Sequence, residues 1–274
     1  MHISLGACSG RFPRFDLGGG TEHPAADTRL RLKHLKLDLH LDFELKRLSG
    51  RCSATIDATA PGISEAVFDA VAMDVSKVTS AGAALSFHQS EGKLHVALGA
   101  PAAPGSALTL EIEYATIPRF GFFFLAPDEA YPDRPRQAWS QGQDDYSRYW
   151  YPCLDAPNQK ATSEVLADVP APMEAISNGR LIEQQDLPGG RRRFHWRHET
   201  PHSPYLVSLV AGEFVAWHVD SGGVDFVCYV PRGREADGHR AFDQTPAMAE
   251  FFGEFTGQGY PYPKYAQVCV ADFI

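Results

Sequence analysis

One stretch has residue types and spacing that spell a known chemistry. His198-Glu199-Thr200-Pro201-His202 fits H-E-x-x-H letter for letter. On a helix, that spacing puts two imidazoles on one face to hold zinc, with the glutamate beside the bound water. Here Pro201 occupies the fourth position. It has no backbone donor, its ring would clash with the Arg197 carbonyl in a helix, and it biases Thr200 toward an extended conformation. Pro204 follows, and an apolar run starts at Tyr205. The five residues therefore read as a loop between strands, and neither histidine is assigned as a metal ligand.

Other candidates reduce to structural roles. Asp144-Asp145 and Asp155 lie near several aromatics, but carboxylates in a loop are expected to be solvated or to cap. Cys153 follows Tyr151-Pro152 with no base marked beside it, so it reads as a small buried apolar side chain. Neither a G-x-S-x-G elbow nor a phosphate-binding glycine loop is present.

The elements that must position any site are mostly strands. Leu35, Leu37, Leu39, Leu41, Phe43 and Leu45 alternate with polar residues, predicting a long strand with one buried face. Similar alternation runs through Leu94–Leu98 and Leu108–Tyr114, with shorter candidates at Ala54–Ala58, Ala66–Asp69, Val165–Val169 and Phe194–Trp196. Ser177-Asn178-Gly179 reads as a hairpin turn, because Asn-Gly tolerates positive φ. Tyr205–Gly212 is a continuous apolar run that reads as a strand buried on both faces. Strands at this spacing, with little helix between them, predict a mainly β fold in which antiparallel sheets form a sandwich or saddle.

After Ser221-Gly222-Gly223 the character changes. Val224–Val230 reads as a strand, and Glu235–Thr256 is helical, starting or kinking at Thr245-Pro246. Met248, Phe251, Phe252 and Phe255 share one helix face, and a further apolar run covers Val268–Ile274. The expected division is a loose extension over 1–27, a β domain over 28–221, and a strand–helix–strand opening of a second domain over 222–274.

A formal charge of −9 argues against a nucleic-acid partner, which needs a basic face. The one basic cluster, Arg191-Arg192-Arg193, follows Gly189-Gly190 and reads as a solvated hairpin end. The 24 glycines and 20 prolines fit many turns. Five cysteines without a C-x-x-C pair fit free thiols in a reducing compartment. No apolar run approaches the roughly 20 residues of a membrane span, and Met1–Cys8 lacks the basic and apolar regions of a signal peptide. No membrane partner and a cytoplasmic location are the expectations.

Three stretches carry a resemblance to a known family. Trp139-Ser140-Gln141-Gly142-Gln143, then Arg148–Pro157 and Lys160-Ala161, resemble the T-Q-x-E…A-R…F-P-C-x-D-E-P-x-x-K-A segment of the aminopeptidase N family of zinc metallopeptidases. Ala175–Gly179 with Tyr205–Phe214 resembles the end of that family's first domain. Phe251-Phe252, Gly259–Tyr265 and Ala271–Ile274 resemble its approach to G-x-M-E-N. The resemblance covers roughly residues 28 to 274. It implies a β saddle followed by the opening of a thermolysin-like catalytic domain, which packs on the saddle. It further implies removal of N-terminal residues from peptide substrates, with zinc as the cofactor of the full-length parent. The family's zinc ligands, general base and oxyanion tyrosine lie beyond Ile274, so no catalytic or metal-binding residue is assigned here. Gln143 matches a position, usually Glu, that binds the substrate's free α-amine, and Gln141 matches a glutamine lining the pocket for the first side chain. Neutral Gln143 can accept a hydrogen bond but offers no charge. The alternative is a non-catalytic interaction module that keeps the same β saddle.

One outcome follows for the 274-residue chain. It releases no product from an alanyl fluorogenic substrate and takes up no stoichiometric zinc. Tight metal binding, with activity that a chelator abolishes, would revive His198 and His202.

Overall fold

Residues 28–273 are described by this computed structural model, and the extension expected over 1–27 lies outside them. In chain order the elements are β1 (Leu30–Asp42), β2 (Arg47–Ala58), β3 (Ile63–Asp69), β4 (Met73–Ser80), β5 (Ala83–Ala84), β6 (Phe87–Ser90), β7 (Lys93–Ala102), β8 (Ala107–Thr116), β9 (Phe122–Leu125), β10 (Gln137–Ser140), β11 (Ala161–Pro170), β12 (Glu174–Ser177), β13 (Arg180–Leu187), β14 (Arg191–His202), β15 (Leu209–Gly212), β16 (Phe214–Ser221), β17 (Val224–Pro231), α1 (Glu235–Phe242), α2 (Thr245–Thr256) and β18 (Lys264–Val268). The fold is mainly β, as the alternation predicts.

Leucine alternation sets the centre. β1 turns Leu35, Leu37, Leu39 and Leu41 inward, none more than 3% exposed. Each such burial contributes roughly 1.5–3 kcal/mol. The strand stops at Asp42 instead of running on to Leu45. The Asp42 carboxylate accepts the N–H groups of Glu44 and Leu45 at 2.9 Å each, so a local turn wins and Leu45 is left exposed. β1 lies inside an eight-stranded sheet of order β13-β14-β11-β1-β2-β8-β4-β5. Phe68, Leu94 and Val96 of the β3-β7-β6 sheet belong to the same core cluster as the leucines of β1, with Phe122, Trp150 and Tyr151 fully buried among them. The sheets are not wholly antiparallel: β1 pairs β11, and β17 pairs β18, in parallel. Each pair joins strands with other elements between them, so no hairpin fixes their direction.

Three other expectations need correction. Asn178-Gly179 is a corner between sheets and not a hairpin turn, because β12 pairs β15 while β13 pairs β14. Asn178 donates to the Leu206 carbonyl at 3.0 Å and accepts the Ser208 N–H at 2.7 Å, which ties the corner to the neighbouring segment. The run from Tyr205 is strand only from Leu209; a 3-10 turn over Pro204–Leu206 begins it, with the Ser203 carbonyl accepting the Leu206 N–H. The three arginines do follow a hairpin end, but they are not simply solvated. Arg191 donates to the carbonyls of Leu41 and Asp168, and Arg193 pairs with Asp168 and Asp38.

The last sheet, β16-β17-β18, carries α1 and α2. The long helical pattern divides at Thr245-Pro246, with the proline in the first turn of α2, where a missing N–H costs nothing. Met248, Phe251, Phe252 and Phe255 are 55–79% exposed.

The corner gives a stability test. Gly179 has φ +77°, and an added Cβ would meet the Arg197 carbonyl oxygen at 1.9 Å. Gly179→Ala is expected to cost roughly 3 kcal/mol in urea unfolding. Gly222→Ala, with φ +62° but open space around it, should cost about 1 kcal/mol.

Candidate functional site

Gln141 and Gln143 sit on the turn that leaves β10. The turn is built from close backbone approaches. Gln141 N–H donates to Gly121 O at 2.8 Å, and Tyr146 N–H donates to Gly142 O at 2.9 Å. Gly142 has no room for a side chain, since a Cβ there would lie 2.7 Å from the Tyr205 carbonyl oxygen. Ser140 Oγ accepts the Leu209 N–H at 2.9 Å, locking the end of β10 to β15. Gln141 Oε1 accepts the backbone N–H of Gln143 at 2.8 Å, which fixes the direction of the Gln141 amide. The Gln143 side chain is exposed, and its amide has no hydrogen-bond partner among the described residues. The Gln143–Asp144 peptide bond is cis. Chemically, the turn offers one oriented amide and one free amide to a polar ligand.

The turn is anchored from below by a charge cluster that sequence reasoning read differently. Asp155 was expected to be solvated or to cap. Its side chain is 2% exposed and accepts both the backbone N–H and Nε–H of Arg148 at 3.1 Å. Arg148 also pairs with Asp145 at 3.1 Å and lies 3.7 Å from Asp69. Asp69 then accepts the Asp155 N–H at 3.0 Å and exchanges two backbone bonds with Cys153. Burial pushes the Asp155 carboxyl up, and the Arg148 hydrogen bonds pull it back. Burial also disfavours the charged guanidinium, but Asp69, Asp155 and Asp145 outweigh it and hold the Arg148 pKa above its ordinary value. No periodicity marks this cluster, because Asp69 is 86 residues from Asp155.

The chain near its described end is docked on the same strand. Gln137 Oε1 accepts the Ala271 N–H at 3.0 Å, Trp139 Nε1–H donates to the Ala271 carbonyl at 3.1 Å, and Phe273 packs on Trp139 at 5.1 Å. Residues 271–273 thus run beside the strand that delivers Gln141 and Gln143. Fully buried Gln137 carries no chemistry in the sequence pattern, and its role appears only with its partner.

The remaining candidates separate. His198-Glu199-Thr200-Pro201-His202 ends strand β14 and is not a loop. The ladder with β11 pairs His198 with Ser163 and His202 with Ala161, so a bulge takes up Glu199–Pro201 and the missing proline donor is not needed. Glu199 is 79% exposed on its side chain and pairs with Arg197. Among the described residues, no group of three or more His, Cys, Asp or Glu could hold a metal ion. Cys153 is buried, and burial pushes its thiol well above the ordinary range, so the thiolate needed for attack is disfavoured.

The Peptidase M1 N-terminal domain family matches residues 32–206. The chain is 30% identical over 139 residues to puromycin-sensitive aminopeptidase of Caenorhabditis elegans, covering 50% of this chain and 15% of that protein. It is 26% identical over 199 residues to leukotriene A-4 hydrolase of Xenopus laevis, covering 69% of this chain and 32% of that protein. It therefore spans a third or less of these relatives' length. An M1 zinc metallopeptidase mutant of Deinococcus radiodurans, solved with a Tyr-Ser-Ala substrate, superposes with a TM-score of 0.72 at 24% identity, covering 89% of this chain and 57% of that one. At that identity the superposition speaks for the fold.

Arg148→Met leaves Asp155 buried without its partner and is expected to cost about 3–5 kcal/mol. The loss is read from urea midpoints. Asp145→Asn, at the exposed edge of the cluster, should change stability by less than about 1 kcal/mol.

Proposed function

The chain belongs to the Peptidase M1 N-terminal domain family, and from that membership we propose that it forms one wall of the substrate cleft in a zinc-dependent aminopeptidase. The observation that carries this reading is the juxtaposition on β10. The turn bearing Gln141 and Gln143 and the segment 271–273 are held by the same short strand. A peptide whose free amine meets Gln143 would place its first side chain toward Gln141. Gln143 Oε1 would accept a hydrogen bond from the ammonium without contributing charge.

The described residues do not fit zinc. His198 and His202 have no third ligand, and Glu199 is turned to solvent. In this proposal the zinc, the general base and the groups that polarise the scissile carbonyl belong to the catalytic part of the parent protein. The exposed Met248, Phe251, Phe252 and Phe255 of α2 are the surface against which that part would pack. The division into a β saddle over 28–221 and the opening of a catalytic domain over 222–274 is part of the same proposal. So is a cytoplasmic location, supported by the free thiols of Cys52, Cys153, Cys228 and Cys269. Among the described residues, no helix is long and apolar enough to cross a membrane.

Two measurements test the proposal. The coding sequence beyond Ile274 should continue into G-x-M-E-N and then H-E-x-x-H, with a further glutamate about 19 residues on. A continuation without those ligands favours the interaction module. In the full-length product, Gln143→Glu should tighten binding of peptides with a free amine by about 1 kcal/mol, roughly fivefold, as a neutral hydrogen bond becomes charge-assisted. Gln143→Ala should weaken it by a similar amount. N-acetylated peptides should be indifferent to both changes, and equal effects on both substrate sets would remove Gln143 from amine recognition.

A further inference from the structure

At the end of β14 the bulge against β11 brings His198 and His202 side by side, with ring centroids 4.8 Å apart. The connection from α2 to β18 faces them. Tyr262 packs on His198 at 5.5 Å, and Lys264 lies over the Trp196 ring at 3.9 Å while donating from Nζ to the Ser177 carbonyl at 2.7 Å. The histidines and Lys264 line a cleft of about 370 Å³. One wall is built from β14 of the eight-stranded sheet together with β12, β15 and the Asn178-Gly179 corner, which add no charged side chain, and the other from β18 and the connection before it. The cleft is therefore a joint between two parts of the molecule.

Its charges are one-sided. The residues lining the cleft include Lys264 and both histidines and no carboxylate. On β14, Glu199 is turned outward and engaged by Arg197. On β11, Ser163 lies beneath the histidines, and Glu164 belongs to the opposite face of the strand pair, where His34, Lys36, His195 and Arg197 surround it. On β17, Asp225 is level with Lys264 in the parallel ladder, but its carboxylate is bound by His218 at 3.0 Å. Tyr260 and Tyr262, from the connection, add no carboxylate.

We propose that this joint is a proton-operated latch, closed while His198 and His202 are neutral and loosened when they charge, because three cations then share a cleft whose lining carries no carboxylate. The remaining partners agree. His202 already has Nδ1 against the Thr200 carbonyl at 3.0 Å and Nε2 against Ser163 Oγ at 3.3 Å, so it is seated without a carboxylate. Burial holds the His198 imidazole below the ordinary histidine range, with His202 and Lys264 adding to the shift. Burial does the same at His202, against a smaller opposing pull from the Thr200 carbonyl. Burial also lowers Lys264 to about 8, opposed by Asp225. The sign is fixed by linkage. A histidine whose folded pKa lies below its unfolded value near 6.5 stabilises the closed joint fully above that value, and the contribution is lost as pH falls below it. Lys264 remains cationic throughout that fall. The latch stands whether or not the chain serves in peptide cleavage.

The test compares hydrogen–deuterium exchange of the 274-residue chain at about pH 7.5 and about pH 5, corrected for intrinsic exchange rates. Amides over residues 260–268 should exchange several-fold faster at the lower pH, while those of β1 and β2 keep their protection. His198→Gln/His202→Gln should abolish the difference. Acceleration spread evenly over the chain, no acceleration at the joint, or a difference that persists in the double variant would each overturn the proposal. A histidine-ring NMR titration of the unsubstituted chain tests it without any substitution. Midpoints of His198 and His202 below 6.5 are expected, and midpoints at or above that value would also overturn it.

Discussion

Arg148 in the grip of Asp155 is the contact on which the rest of the candidate site depends. One buried carboxylate accepts both a backbone and a side-chain hydrogen bond from the same arginine, so the segment Ser147–Asp155 has little freedom to rearrange. Asp69 couples that segment to the edge of the β3-β7-β6 sheet through two backbone bonds to Cys153 and one side-chain bond to Asp155. Burying these charges carries a large desolvation cost, and the arrangement persists because every charge faces another or a backbone donor. The turn above inherits this rigidity through Gly142 and Tyr146.

Rigidity is what a recognition turn needs. An amide group discriminates between ligands only if it does not have to be ordered at the moment of binding. Gln141 meets that condition through its bond to the Gln143 N–H, whereas the Gln143 side chain is free to turn toward a ligand. The chain thus combines a fixed element and an adaptable one within three residues. The strand beneath them also carries Gln137 and Trp139, which hold the Ala271 backbone from both of its polar groups.

The sequence made some of this legible and hid the rest for physical reasons. Alternating leucines in β1 and the alternation in β7 and β8 report burial on one face, and burial is a property of single strands. The division of the helical pattern at Thr245-Pro246 was likewise visible, because proline acts locally. Pairing direction was not visible: parallel β1 and β11 lie far apart in sequence, and the same alternation suits either direction. Asn178-Gly179 announced its backbone conformation correctly and its context wrongly, since positive φ serves a sheet corner as well as a hairpin. The proline in His198–His202 excluded a helix as argued, yet a bulge let the strand continue through it. Asp155 and Arg148 gave no signal of their pairing, because the further partner Asp69 comes from β3, far away in sequence.

The corner at Asn178 also bears on how the molecule ages. Asn-Gly is the dipeptide in which closure to a succinimide meets least steric hindrance, and its hydrolysis leaves a carboxylate in place of the amide. Here the amide nitrogen is a donor to the Leu206 carbonyl and the amide oxygen an acceptor from Ser208. Both atoms are engaged, which restrains the rotation that closure requires. Were the conversion to occur, a negative oxygen would stand against the Leu206 carbonyl. One chemical lesion would then unfasten the place where the β12-β15 pair meets the eight-stranded sheet.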